Sequence, residues 1–293
     1  MQVSANGLAL EVDDRGPPDG VPLLLVMGLG MQLTAWPEEL VQLLVARGFR
    51  VLRFDNRDAG LSQGFDHLGA PNLAIAGIRF ALHLPGRSPY SLADMAADTL
   101  GVMDALGLQS AHVCGASMGG MIAQHLAARR PERVRSLTLM MTTSGARALP
   151  QPGLRVRQAL LSRPANNSRE AVVAHLERVL RTIGSPGFPP DRAQMHQRFE
   201  AAFDRAWRPA GTARQIAAVI ADGDRTRLLG AVRAPTLVLH GRDDPLVPPA
   251  AAHDLALKIP GATVEMIPGM GHDLPQELLE RFADSIAANA QRS

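Results

Sequence analysis

The sequence predicts an α/β fold, a mostly parallel twisted sheet with helices on both faces, interrupted once by a helical insertion. Three observations carry this reading. Short apolar runs alternate with helical patterns through the first half of the chain. The alternation stops near Gly145 and resumes after Asp224. At 293 residues the chain is long for one ordinary domain, which fits a single core carrying a sizeable insertion. The expected partition is a core of residues 1–144 and 225–293 and a helical insertion over 145–224.

Val3–Ala5 and Leu8–Val12 flank Asn6-Gly7, a pair suited to the left-handed geometry of a tight hairpin. Pro22–Met27 is a continuous apolar run, as a strand buried on both faces requires. Residues 37–48 fit a helix and Val51–Phe54 the next strand, with a loop at Asp55–Ser62. Ser91-Leu92-Ala93-Asp94 has the spacing of a capping start for a helix that stops at Gly107. A strand at His112–Cys114, a helix over 117–130 and a strand at Val134–Met141 follow. The insertion is arginine-rich, helical in pattern and broken at Gly184–Pro190. After it come a strand (Pro235–His240), a helix from Pro248, a strand (Ala262–Ile267) and a helix from Pro275 to Ala288.

Composition excludes several classes. No apolar run approaches the roughly 18 residues that span a bilayer. Met1–Gly7 has neither a basic start nor an apolar stretch, so no export signal and a cytoplasmic location are expected. Cys114 is the only cysteine, which rules out an intrachain disulfide and suits a reducing compartment. The formal charge is +2, Lys258 is the only lysine, and the arginines are scattered, so no nucleic-acid partner is expected. There is no zinc motif and no phosphate-binding loop, and neither a metal nor a cofactor is expected.

Gly115-Ala116-Ser117-Met118-Gly119 is a G-x-S-x-G motif between a predicted strand and a predicted helix. In that setting a serine sits on a sharp turn with its hydroxyl exposed and the helix amides aimed at the reacting centre. A serine hydroxyl is a weak nucleophile and needs a base. Gly269-Met270-Gly271-His272 falls on a loop after a predicted strand, at the same sheet edge as Ser117. The other histidines have blander placements. His112 and His240 lie on or beside buried strands, and His125 lies in the helix after Ser117. His175 and His196 belong to the insertion, and His67, His83 and His253 fall in loops or on the surface. The acid that orients the base should follow a strand between the two, and Leu237–Pro245 offers Asp243 and Asp244, either of which could instead cap the next helix.

An oxyanion hole needs two backbone N–H groups. One is expected from Met118, the other from Leu29 in the Gly28-Leu29-Gly30 loop, which also fits a plain glycine turn. Met27, Met31, Met118 and Met121 cluster around these positions and suggest an apolar, adaptable pocket, although methionines also fill core gaps.

Together Val26-Met27-Gly28, Asp55–Ser62, Gly115–Gly119, His240–Pro248 and Gly269–His272 make the chain resemble the α/β-hydrolase superfamily over nearly its whole length. It is similar in particular to bacterial carboxylesterases and the aclacinomycin methylesterase kind. The resemblance implies a serine hydrolase with Ser117, His272 and an acid three residues beyond Gly241, which is Asp244. Pro245 biases Asp244 to an extended backbone, and Asp243 should then face solvent or cap the next helix. Many members have His-Gly where this chain has Met27-Gly28, a change in the side chain beside the oxyanion loop. The implied reaction is carboxylic ester hydrolysis of a small, partly apolar substrate. A lactonase, thioesterase, C–C bond hydrolase or perhydrolase on the same residues, or a non-catalytic binding protein, are the alternatives.

Overall fold

The computed structural model describes residues 1–82, 84 and 86–293, and the expectation for His83 lies outside them. The chain opens with β1 (Gln2–Ala5) and β2 (Leu8–Arg15), joined at Asn6-Gly7, both with positive φ (51° and 75°). β3 (Val21–Val26), α1 (Glu38–Ala46) and β4 (Phe49–Phe54) come next, followed by α2 (Leu73–Ala81), α3 (Leu92–Ala105), β5 (Ala111–Ala116), α4 (Met118–Arg129) and β6 (Val134–Met140). Then come four helices, α5 (Leu154–Leu161), α6 (Arg169–Ile183), α7 (Arg192–Arg205) and α8 (Pro209–Asp222). The short α9 (Thr226–Leu229), β7 (Thr236–Gly241), α10 (Ala250–Lys258), β8 (Thr263–Ile267) and α11 (Leu279–Ala290) complete it.

The sheet has eight strands in the order β1-β2-β4-β3-β5-β6-β7-β8. β1 and β2 are antiparallel to their neighbours, and β4, β3 and β5 to β8 run parallel. Period-two alternation divides the strand side chains between two cores. Leu24 and Val26 of β3 join α3, α4 and α10 on one face, while Leu23 and Leu25 join α1 and α11 on the other. Each fully buried leucine contributes about 1.5–3 kcal/mol, which is why β3, at the centre of the sheet, is apolar without interruption.

Local chemistry sets the helix ends. Ser91 and Asp94 form a reciprocal capping box at the start of α3, as their spacing predicts. The Ser168 hydroxyl caps α6 by accepting from the Ala171 N–H at 3.3 Å. α10 begins at Ala250, two residues later than expected, and α11 is preceded by a single 3₁₀ turn at Gln276–Leu278.

The segment between β6 and β7 differs from the rest. α5 packs on α6, α6 on α7, and α8 on α2 and α3. The loops after β3, β4, β5, β7 and β8 all leave the carboxyl ends of parallel strands, the edge where open α/β sheets place their ligands. Among the described residues no helix is long and apolar enough to cross a membrane.

Candidate active site

Ser117 lies between the end of β5 and the start of α4 with φ 54° and ψ −118°, a conformation that L-residues rarely adopt. The surrounding motif explains how it is held. A Cβ on Gly119 would lie 2.0 Å from the Val26 carbonyl oxygen, and one on Gly115 would lie 2.4 Å from that of Gly119. Only glycine permits so close a passage of β5, β3 and α4. The Ser117 N–H donates to the Met140 carbonyl at 2.9 Å, and its own carbonyl accepts from the Thr142 hydroxyl at 2.7 Å.

His272 reaches Ser117 from the loop after β8. Its Nε2 lies 3.0 Å from Ser117 Oγ, and its Nδ1 lies 2.7 Å from Asp244 Oδ2. Asp244 is buried, and its Oδ1 accepts from the Leu246 and Val247 N–H groups at 2.8 Å. It therefore satisfies the turn amides with one oxygen and the imidazole with the other. Asp243 is exposed as expected, but it caps the β8 loop rather than a helix, accepting from the Gly269 N–H at 2.7 Å.

Behind Asp244 stands a second imidazole. His240 Nε2 lies 2.8 Å from the Val247 carbonyl and 3.5 Å from Asp244 Oδ2. Burial pushes the His240 pKa down, and the carbonyl contact fixes the proton on Nε2 of a neutral ring.

The loop after β3 passes directly over the serine. A Cβ on Gly28 would lie 3.2 Å from Ser117 Cβ. Met118 opens α4, so its N–H is one of the first-turn donors without an intrahelical acceptor. In the β3 loop the Gly30 N–H donates to Gln215 Oε1 at 2.7 Å and the Met31 N–H to the Gly28 carbonyl at 3.3 Å. The Leu29 N–H has no such acceptor among the described residues. Of the four methionines, Met118 and Met121 belong to one core, Met27 to the other, and only Met31 is exposed.

Several supporting residues escape the sequence reading because their partners lie far away in the chain. Asn56 donates to the Met27 carbonyl at 2.9 Å, and Asp55 Oδ1 accepts from the Leu33 N–H at 2.7 Å. Asp58 receives a two-pronged contact from the fully buried Arg214 of α8, at 2.7 and 2.8 Å, and one from the Tyr90 hydroxyl at 2.8 Å. Burial alone would raise the Asp58 carboxyl, but the Arg214 fork, the Phe65 N–H and the Tyr90 hydroxyl outweigh it and hold it low. On the other side the His272 N–H donates to the Ile183 carbonyl at 2.8 Å, and the Gly271 N–H to Ser185 Oγ at 2.8 Å. Ser185 in turn donates to Asp273, whose carboxyl is pushed up by burial. The only signal for these contacts was the Asp55–Ser62 motif, and that motif does not name the partners.

Residues 21–276 match the family model for the alpha/beta hydrolase fold. The chain is 32% identical to a rhodomycin D methylesterase of Streptomyces peucetius, covering 99% of this chain and 97% of that protein. It is 29% identical to a 2-hydroxymuconate semialdehyde hydrolase of Pseudomonas putida, over 96% and 90%. Among solved structures, the enol-lactonase of Burkholderia xenovorans superposes with a TM-score of 0.72 at 23% identity, over 99% of this chain and 100% of that one. A thermophilic esterase of Thermogutta terrifontis gives a TM-score of 0.72 at 24% identity, over 100% and 98%. Sheet order, serine turn and full-length similarity agree, and the chain belongs to the α/β-hydrolase fold family.

Proposed function

We propose that the protein hydrolyses carboxylic esters through an acyl-enzyme. Ser117 attacks the ester carbonyl while His272 Nε2 takes its proton, and Asp244 holds the tautomer and stabilises the imidazolium. The negative charge that develops on the carbonyl oxygen rests on the Leu29 and Met118 N–H groups. His272 then protonates the leaving alcohol and afterwards activates the water that releases the acid. The observation that carries the reading is the continuous chain from Ser117 Oγ through His272 to Asp244, at 3.0 and 2.7 Å.

The similarity to a rhodomycin D methylesterase favours small-molecule esters with a small alcohol. Residues 145–224 act as a cap that sets substrate size, which their bonds to the His272 and Gly30 loops support. The buried, unbridged Cys114 suits a reducing, cytoplasmic setting. A panel of p-nitrophenyl esters of graded acyl length, with a fluorophosphonate probe, tests the proposal. Esterolysis and labelling should both vanish in Ser117→Ala. An unlabelled wild type would favour a non-catalytic binding protein, and faster turnover of lactones or thioesters would move the activity to one of those bonds.

A further inference from the structure

One face of α8 presses on the core beside the serine. A Cβ on Gly211 would lie 2.2 Å from the Asp58 carbonyl oxygen. One on Gly30, whose φ is +66°, would lie 2.9 Å from Thr212. Three residues on from Thr212, on the same face, Gln215 is fully buried and uses both ends of its amide. Its Oε1 accepts from the Gly30 N–H at 2.7 Å, and its Nε2 donates to the Arg57 carbonyl at 2.8 Å.

These contacts join three segments at one side chain. Gly30 belongs to the loop that lies over Ser117, Arg57 to the loop after β4, and Gln215 to the helical insertion 185 positions from Gly30. Gly30 needs support, because a left-handed glycine within a tight turn has several accessible conformations. A buried amide bonded at both ends admits only one arrangement without leaving a polar group unsatisfied.

We propose that Gln215 is a positioning residue for ester hydrolysis: by holding the Gly30 peptide it fixes the adjoining Leu29 N–H over the carbonyl oxygen of the reacting ester. This rests on the esterase reading above. The bond engages the peptide immediately after Leu29, so a change in it rotates the segment that carries the Leu29 N–H. Misplacement of an oxyanion donor by about 1 Å costs on the order of 10²-fold in rate. Substrate binding away from the carbonyl is unaffected, so the loss should fall on kcat.

The test compares Gln215→Met, which keeps the volume but neither polar atom, with Gln215→Glu, which keeps the acceptor for Gly30. The substrate is p-nitrophenyl butyrate, and the inhibitor is an aryl trifluoromethyl ketone, which adds to the serine and forms an oxyanion. Gln215→Met should lower kcat by about 10- to 100-fold with KM within about threefold, and weaken the ketone by the same factor as kcat/KM. Gln215→Glu should recover most of the lost kcat. If Gln215→Met gives no cooperative unfolding transition, Gln215→Asn, a methylene too short to reach Gly30, replaces it with the same expectation. A folded Gln215→Met with wild-type kcat overturns the proposal, and so does a loss of melting temperature without change in kcat or ketone affinity. A wild type that neither cleaves the ester nor takes up fluorophosphonate overturns the esterase reading and this inference with it.

Discussion

Asp243 and Asp244, adjacent in sequence, serve opposite ends of the same loop. Asp243 Oδ2 accepts from the Gly269 N–H at 2.7 Å, and Asp244 Oδ2 meets His272 Nδ1 at 2.7 Å. Between them they hold the beginning of the β8 loop and the imidazole it delivers.

Asp244→Asn should therefore leave the shape and favour the wrong imidazole tautomer, lowering kcat by on the order of 10⁴. Asp243→Asn keeps an oxygen for Gly269 and should change kcat by less than about tenfold. Steady-state kinetics on both variants, beside their melting temperatures, decides it. An inactive Asp243→Asn with an active Asp244→Asn would reverse the two roles.

The backbone at Ser117 stores strain that glycine would not feel. Ser117→Ala should keep the fold and lower kcat by on the order of 10⁶, while Ser117→Gly should be more stable than Ser117→Ala by about 1 kcal/mol. Urea unfolding of the two inactive variants measures this. Equal midpoints would mean that the φ of 54° carries no cost.

Acid should weaken the fold through His112. Its ring is buried with Nδ1 2.8 Å from the Ser136 hydroxyl, and burial first, with Arg135 adding to it, pushes the pKa down to about 4. In the unfolded chain the ring takes up a proton near its ordinary value of about 6.5, whereas the folded ring stays neutral until about pH 4. The stabilisation is thus complete above about pH 6.5 and is lost as pH falls towards 4, up to about 3 kcal/mol. His112→Gln should show a flatter dependence of melting temperature on pH over that window. A variant that follows the wild-type curve would assign the acid sensitivity elsewhere, with the buried His240 next in line.

The Asp58–Arg214 pair should be costly to break from one side. Arg214→Met leaves Asp58 buried with too few donors and should destabilise by about 3–5 kcal/mol. Adding Asp58→Asn removes the stranded charge and should restore part of that loss. Denaturant melts of the single and double variants give the coupling, and a double variant less stable than Arg214→Met would contradict the account.

The parts that the sequence made legible are those whose cause is local. Gly115 and Gly119 are required because the backbone of α4 passes within contact distance of the one and that of β3 within contact distance of the other, and the motif states that requirement in five residues. The capping box at Ser91 and the turn at Asn6-Gly7 are equally short-range. Ser185, Arg214 and Gln215 were not legible. Their partners, Gly271, Asp58 and Gly30, lie between 86 and 185 positions away, and no spacing rule links such pairs. The methionine cluster misled because Met118 and Met121 pack in one core, Met27 in the core on the other face of the sheet, and Met31 is exposed.

The attachments of the 145–224 segment bear on how enzymes with this arrangement can diversify. Ile183 and Ser185 grip the loop that carries His272, while Thr212, Arg214 and Gln215 lie against the loops carrying Gly30 and Asp58. The segment is therefore not an interchangeable cassette. A chimera that imports it whole from a relative must also import matching residues at 30, 58, 271 and 273, or the loops that carry His272 and Gly30 lose their supports together. Inherited variation has more room in α5, where Leu154 and Leu161 are exposed and free of those two seams.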